Sequence, residues 1–212
     1  MLDSMQAALF DLDGVIVDTA KFHYLAWREL ANGLGFDLSE AQNEQLKGIS
    51  RMESLDIILG IGKVELDAEE KLRLATIKNG RYVEMVQKID ASEILRGARE
   101  YLLALRARGV KIALGSASKN AEIILENLGV RGLFDVVIDG NKISKSKPDP
   151  QVFLLGAQAL GVAPAACVVY EDAAAGVEAA KAGGMFAVGI GHAENLPGAD
   201  LVVPGLYALL EN

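Results

Sequence analysis

Two textures of apolar and polar positions run along this chain. Ala7-Ala8-Leu9-Phe10 is an unbroken apolar run with no helical period, which predicts a strand buried on both faces. From residue 97 onward, helical stretches alternate with short apolar runs. Tyr101-Leu102-Leu103-Ala104-Leu105 precedes Lys111-Ile112-Ala113-Leu114, and Ile123-Ile124-Leu125 precedes Val136-Val137-Ile138. Val152-Phe153-Leu154-Leu155 precedes Val168-Val169-Tyr170, and Val177-Glu178-Ala179-Ala180 precedes Phe186-Ala187-Val188-Gly189-Ile190, with Leu201-Val202-Val203 as an edge-strand candidate. Gly109, Gly129, Gly161 and Gly183-Gly184 fall where helix C-caps belong. Such a βα repeat predicts a Rossmann-like, doubly wound parallel sheet of the α/β class, covered on both faces and including the strand at 7–10.

Between residues 17 and 92 the period is helical throughout. Phe22, Leu25, Ala26 and Leu30 have helical spacing, as do Leu55, Ile58 and Leu59, and Leu72, Ala75 and Ile77. The expected organisation is therefore an α/β core over 1–16 and 93–212, interrupted by an all-helical cap domain over 17–92. Its hinges would be Asp18-Thr19-Ala20 and Ala91-Ser92-Glu93.

Composition narrows the function classes. The 212 residues are 51% apolar and 24% charged, and the net charge is -8. No Lys or Arg run stands out, which argues against nucleic acid or an anionic membrane as partner. No apolar run is long enough to span a bilayer, and the first residues lack the basic-then-apolar pattern of a secretory signal. Cys167 is the single cysteine, so no internal disulfide can form, and cytoplasm is the expected compartment. His23 and His192 are too few for a His-rich metal site. No coiled-coil pattern appears, and a monomer is expected.

The candidate chemistry sits at strand ends, where open α/β sheets hold ligands. Asp11-Leu12-Asp13-Gly14 puts two carboxylates at the end of the first strand, where they repel unless a cation or phosphoryl chemistry needs them. Gly115-Ser116-Ala117-Ser118 follows the second strand, Lys147-Pro148 precedes a helix, and Glu171-Asp172 follows a strongly apolar run. Lys145 competes with Lys147 as the motif lysine, but Pro148 favours Lys147.

With these four motifs in this order, the chain resembles the haloacid dehalogenase superfamily of phosphotransferases over nearly its whole length. The resemblance implies Asp11 as nucleophile forming an aspartyl phosphate and Asp13 as general acid and base. It implies Ser116 and Lys147 on the phosphoryl oxygens. It also implies one Mg²⁺ held by the Asp11 side chain, the Asp13 carbonyl, Asp172 and, directly or through water, Glu171. A helix beginning near Asn120 would aim N–H groups at phosphate.

The cap string Lys47-Gly48-Ile49-Ser50-Arg51-Met52-Glu53-Ser54 places two cations and two hydroxyls around a glycine. A mutase must hold a second phosphate, and Arg51 suits that clamp, supported by Ser50, Ser54, Ala117, Ser118, Lys119 and Asn120. Lys47 and Gly48 would close on the sugar, and Lys78 and Asn79 match cap positions that in the family face the site. His23 and Trp27, four apart on one helix face, read either as a packed pair or, for His23, as a hinge contact beside Thr19. The expected activity is a phosphomutase interconverting β-glucose 1-phosphate and glucose 6-phosphate through a 1,6-bisphosphate. A sugar-phosphate phosphatase on the same scaffold is the alternative, and a non-enzymatic phosphoacceptor domain a remote one. The partners are small sugar phosphates.

Overall fold

The computed structural model describes residue 2, residues 4–46 and residues 49–210. The apolar run at the N-terminus forms strand β1 (Ala7–Phe10). The chain then makes helices α1 (Ala20–Gly33), α2 (Glu40–Asn43), α3 (Arg51–Gly62) and α4 (Ala68–Val86). The βα alternation follows: α5 (Ala98–Ala107), β2 (Lys111–Gly115), α6 (Ala121–Asn127), β3 (Val136–Ile138), α7 (Gln151–Leu160), β4 (Cys167–Glu171), α8 (Ala174–Ala182), β5 (Phe186–Ile190) and β6 (Leu201–Val203).

All neighbouring strands pair in parallel in the order β3-β2-β1-β4-β5-β6. The strand order reverses between β1 and β4, the switch point outside whose carboxyl ends ligands bind in this architecture. Register does the positioning. Phe10 pairs with Tyr170 on one side and Leu114 on the other, so Asp11 emerges beside Glu171 and beside the Gly115-Ser116 turn.

Alternation along the strands splits the core. Ala8, Phe10, Val168 and Tyr170 face the side covered by α5 and α6, where Leu102, Leu105, Ile124 and Leu125 are buried. Ala7, Leu9, Cys167 and Val169 face α7 and α8, with Phe153, Ala157 and Val177. Side chains of successive strand residues point to opposite faces, and both faces are covered, so the runs read as continuously apolar.

The helices between β1 and β2 bury an apolar cluster of their own, built on Trp27, Ala31, Leu38, Leu55, Ile58 and Leu74. Local signals start them. Ser50 and Glu53 form a reciprocal capping box at α3, and the Asp67 carboxylate accepts from the Glu70 N–H at 2.8 Å to start α4. The two connections to the sheet lie side by side: Val17 bridges to Ile94, and Lys21 pairs with Glu93 at 2.6 Å.

Two apolar stripes differ from their expected positions. Leu25, Leu72 and Ile77 are 51%, 63% and 47% exposed. The stripe α1 buries is Ala26, Trp27 and Ala31, and α4 buries Leu74, Ala75, Lys78, Tyr82 and Val86. A lysine occupies a stripe position because its ammonium lies 4.3 Å from the Trp27 ring centre and 5.0 Å from that of Tyr82. Tyr82 and Val86 also join the cluster above the sheet, so the lower half of α4 is packed with the α/β core.

No helix among the described residues is long and apolar enough to cross a membrane. Leu55→Ala, in the fully buried cluster of α3, should cost about 2–5 kcal/mol in urea unfolding, whereas Leu25→Ala should change stability by less than about 0.5 kcal/mol. Comparable losses for both would contradict the assigned faces.

Candidate active site

The motif residues meet at the carboxyl ends of β1, β2 and β4. Behind them lies Lys147, 2% exposed, whose ammonium donates to Asp11 Oδ1 and Glu171 Oε1, each at 2.5 Å, and lies 4.8 Å from the centre of the Phe153 ring. Burial by itself would lower the Lys147 pKa, but the Asp11 and Glu171 carboxylates outweigh it and hold the ammonium charged. Glu171 is fully buried, and burial raises its carboxyl against the attraction of Lys147. Its second oxygen accepts from the Ala173 N–H at 3.0 Å. The Lys147-Pro148 peptide is cis, and Lys145 points instead to Asp149 at 3.3 Å, on the surface.

Two glycines make room for this charge cluster. Gly14 takes φ +77°, and a Cβ there would overlap the Asp172 carboxylate; a Cβ on Gly176 would overlap the carboxylate of Glu171. One oxygen each from Asp11, Glu171 and Asp172 lie within 4.8 Å of one another, an all-oxygen donor set of the kind hard divalent cations take. These residues fit a metal. The Asp13 carboxylate is not in that group; the part assigned to Asp13 was its carbonyl.

Asp13 has a different environment. Its Oδ1 is buried and has no hydrogen-bond partner among the described residues. Burial first, and the neighbouring Asp11 charge second, push its carboxyl up to about 8. An acid held protonated near neutrality is suited to general acid catalysis.

A cavity of about 640 Å³ opens above these groups, between the sheet and the inserted helices. Asp11, Asp13, Ser116, Ala117, Ser118, Lys119, Asn120 and Asp172 line it from the sheet side, and His23, Ser50, Arg51, Ser54 and Lys78 from the helices. Lys147 and Glu171 are not in its wall; they brace Asp11 from behind. Thr19 is also withdrawn, fully buried and accepting from the Tyr82 hydroxyl at 3.3 Å. Lys47 and Gly48 lie outside the described residues.

Helix α6 starts at Ala121 with Asn120 at its N-cap, where the sequence predicts a helix start. The Ser116 hydroxyl oxygen accepts from the Ser118 N–H at 3.1 Å, leaving its own O–H to donate into the cavity. Ser50 caps α3 through the Glu53 N–H, which places Arg51 at the first turn of that helix. Lys78 Nζ lies 2.8 Å from His23 Nδ1, so His23 contacts that lysine as well as the Tyr82 ring. Burial, then Arg51, pull Lys78 down to about 7; burial, then Lys78, keep His23 well below its ordinary value. Asn120 donates to Asn79 of α4 at 3.0 Å, a direct link from sheet to inserted helices.

The sequence reading assigned no site role to Tyr82, Thr76 or Asn43. Tyr82 stands four residues after Lys78 and was findable by helical spacing from it. Nothing in the pattern singled out Asn43, 8% exposed in a four-residue helix, which lines the cavity.

A haloacid dehalogenase-like hydrolase family model matches residues 5–184. The chain is 44% identical to a β-phosphoglucomutase of Bacillus subtilis over 94% of its own length and 89% of the relative's. It is 32% identical to a phosphorylated carbohydrates phosphatase of Thermotoga maritima, over 98% and 94%. Among solved structures, a β-phosphoglucomutase of Clostridium difficile superposes with a TM-score of 0.94 at 46% identity, covering 97% of this chain and 93% of that one.

The Asp13 environment makes a stability prediction for metal-free protein. Below pH 3.8, the ordinary carboxyl value, Asp13 is protonated in both folded and unfolded chains and costs nothing. Between there and about 8 the unfolded chain ionises while the fold holds the proton, so the penalty grows with pH and is complete above about 8. Asp13→Asn should therefore raise the melting temperature progressively from pH 4 to pH 8 in EDTA. A stabilisation that shrinks over that range would contradict the assigned environment.

Proposed function

The chain belongs to the haloacid dehalogenase-like hydrolase family, and on that premise we propose that it is a phosphomutase converting β-glucose 1-phosphate to glucose 6-phosphate through an aspartyl phosphate and a 1,6-bisphosphate. The observation that carries this reading is that one cavity has the Asp11-Asp13 pair in its sheet-side wall and Arg51 in its helical wall. A mutase needs two phosphate stations in one enclosure; hydrolysis of a phosphomonoester needs one.

In this reading phosphorylated Asp11 gives its phosphoryl group to the C6 hydroxyl of β-glucose 1-phosphate. Ionised Asp13 takes the hydroxyl proton, the bond from phosphorus to the Asp11 oxygen breaks, and Asp11 returns as a carboxylate. The bisphosphate turns end for end. Asp11 then attacks the phosphorus at C1, and Asp13 returns its proton to the departing O1. Glucose 6-phosphate leaves, and Asp11 is phosphorylated again, so protons and phosphoryl groups balance over the cycle.

Arg51 would hold whichever phosphate is not reacting, with Ser54, Ser118, Lys119 and Asn120 beside it and Lys47 and Gly48 closing over the sugar. Ser116 would donate to the phosphoryl oxygens, and Lys147 would neutralise charge behind Asp11. Mg²⁺ is the cation we assign to the carboxylates, held by Asp11, Asp172 and the Asp13 carbonyl, with Glu171 as a direct or water-mediated partner. It would supply charge stabilisation for the transferring group. Residues 17–92 would act as a cap that excludes water, the competing acceptor for the aspartyl phosphate. The His23-Lys78 contact and the Thr19-Tyr82 bond lie where such a cap would couple to Asp13. The same reading has the enzyme act on small sugar phosphates as a cytoplasmic monomer.

Asp11→Asn should abolish turnover; residual glucose 6-phosphate formation would overturn the nucleophile assignment. Arg51→Ala should lower mutase turnover about 10- to 100-fold, the size of a lost charged hydrogen bond, while hydrolysis of a small phosphate ester such as p-nitrophenyl phosphate changes little. Equal loss of both activities would remove Arg51 from the clamp.

A further inference from the structure

Among the described residues two buried side-chain oxygens have no hydrogen-bond partner, Asp13 Oδ1 and Asn43 Oδ1. Both residues line the same cavity, Asp13 from the sheet side and Asn43 from the inserted helices. An unpaired buried amide oxygen is destabilising, and native folds pair nearly all such atoms. Asp13 belongs to the reacting pair already described; Asn43 does not.

Trp27, Leu46 and Ala75 are the buried apolar residues that the inserted helices contribute to the cavity lining. Asn43 belongs to α2, a short helix fixed by the Ser39-Gln42 capping box, with Gln42 Oε1 accepting from the Ser39 N–H at 2.9 Å. Its neighbour Gln42 is thereby committed, while the Asn43 oxygen is unpaired among the described residues.

We infer that Asn43 is a specificity-determining residue whose side-chain oxygen accepts a hydrogen bond from a ring hydroxyl of the sugar. The chemistry selects the ligand group. An amide oxygen can only accept, and a phosphate at neutral pH offers it acceptors rather than donors, so a phosphate end of the substrate does not satisfy it. A carbohydrate hydroxyl does. This division fits the rest of the cavity, where Arg51, Lys78, Lys119 and the Ser116 and Ser118 hydroxyls are donors suited to phosphate oxygens. Asn43 thus reads the part of the substrate that the phosphate-binding groups ignore. The inference rests on the proposed sugar-phosphate reading for its ligand class, but not on whether the phosphoryl group ends on sugar or on water.

The test compares wild type with Asn43→Leu and Asn43→Asp on β-glucose 1-phosphate and its 2-, 3- and 4-deoxy analogues, following both glucose 6-phosphate and released phosphate. Asn43→Leu should lower kcat/KM for the full sugar about 10- to 100-fold, the span of a lost buried hydrogen bond. With one of the deoxy analogues that deficit should disappear, because the hydroxyl it depended on is gone. Asn43→Asp, which keeps an accepting oxygen, should retain discrimination against that analogue. Asn43→Leu should also melt at a higher temperature than wild type without ligand, since the orphaned oxygen is removed; a purely structural asparagine would melt lower. An equal deficit on all the analogues, or none on any, overturns the inference. Release of phosphate alone by wild type would overturn the mutase reading yet leave the Asn43 comparison intact, because the deoxy analogues then report through hydrolysis.

Discussion

The ammonium of Lys147 holds the candidate site together. It sits beneath the sheet's switch point, almost wholly buried, and joins a carboxylate from the end of β1 to one from the end of β4. Without it, Asp11 and Glu171 would face each other in a low-dielectric interior, and one of them would take up a proton. Removing one member of such a buried network typically costs about 3–5 kcal/mol because the remaining charges are stranded. With it, Asp11 is held in place, one strand away from Ser116. The Phe10-Tyr170 stack just below, with ring centres 4.5 Å apart, fixes the two strand ends in the same register.

From that anchor the acid-base division follows. Asp13 lies two residues past Asp11 but outside the reach of Lys147's hydrogen bonds, and its buried oxygen has no partner. Two carboxylates of one motif therefore meet different surroundings: Lys147 braces Asp11, whereas burial and the neighbouring Asp11 charge raise Asp13. The inserted helices add the complementary half: burial first, and neighbouring charge second, depress Lys78 and His23 beside Arg51. In the proposed reading a dianionic ligand end would favour the charged form of Lys78.

Much of this was legible in the chain. All six strands fell where unbroken apolar runs predicted them, because a sheet covered on both faces demands such runs. Three of the motifs were legible because they stand at strand ends that the topology brings together; Lys147-Pro148 instead lies in the loop between β3 and α7. The stripes on α1 and α4 were harder. Leu25, Leu72 and Ile77 are apolar but exposed, while Lys78 is buried against Trp27, and hydrophobicity alone ranks these in the wrong order. Ser50 read as a ligand of phosphate and is a helix cap as well, since Ser-x-x-Glu serves both readings. Asn43 was invisible because its significance is an absent partner, a property of three-dimensional packing that no spacing encodes.

In the proposed reading one enclosure with two phosphate stations moves a phosphoryl group from sugar to sugar in preference to water. Its most direct test supplies the protein with β-glucose 1-phosphate, Mg²⁺ and a trace of the 1,6-bisphosphate, and measures glucose 6-phosphate and inorganic phosphate in the same reaction. Glucose 6-phosphate forming well ahead of free phosphate is the predicted result. Free phosphate released at the rate of substrate loss, with no glucose 6-phosphate, would contradict it and make the second station something other than a phosphate clamp.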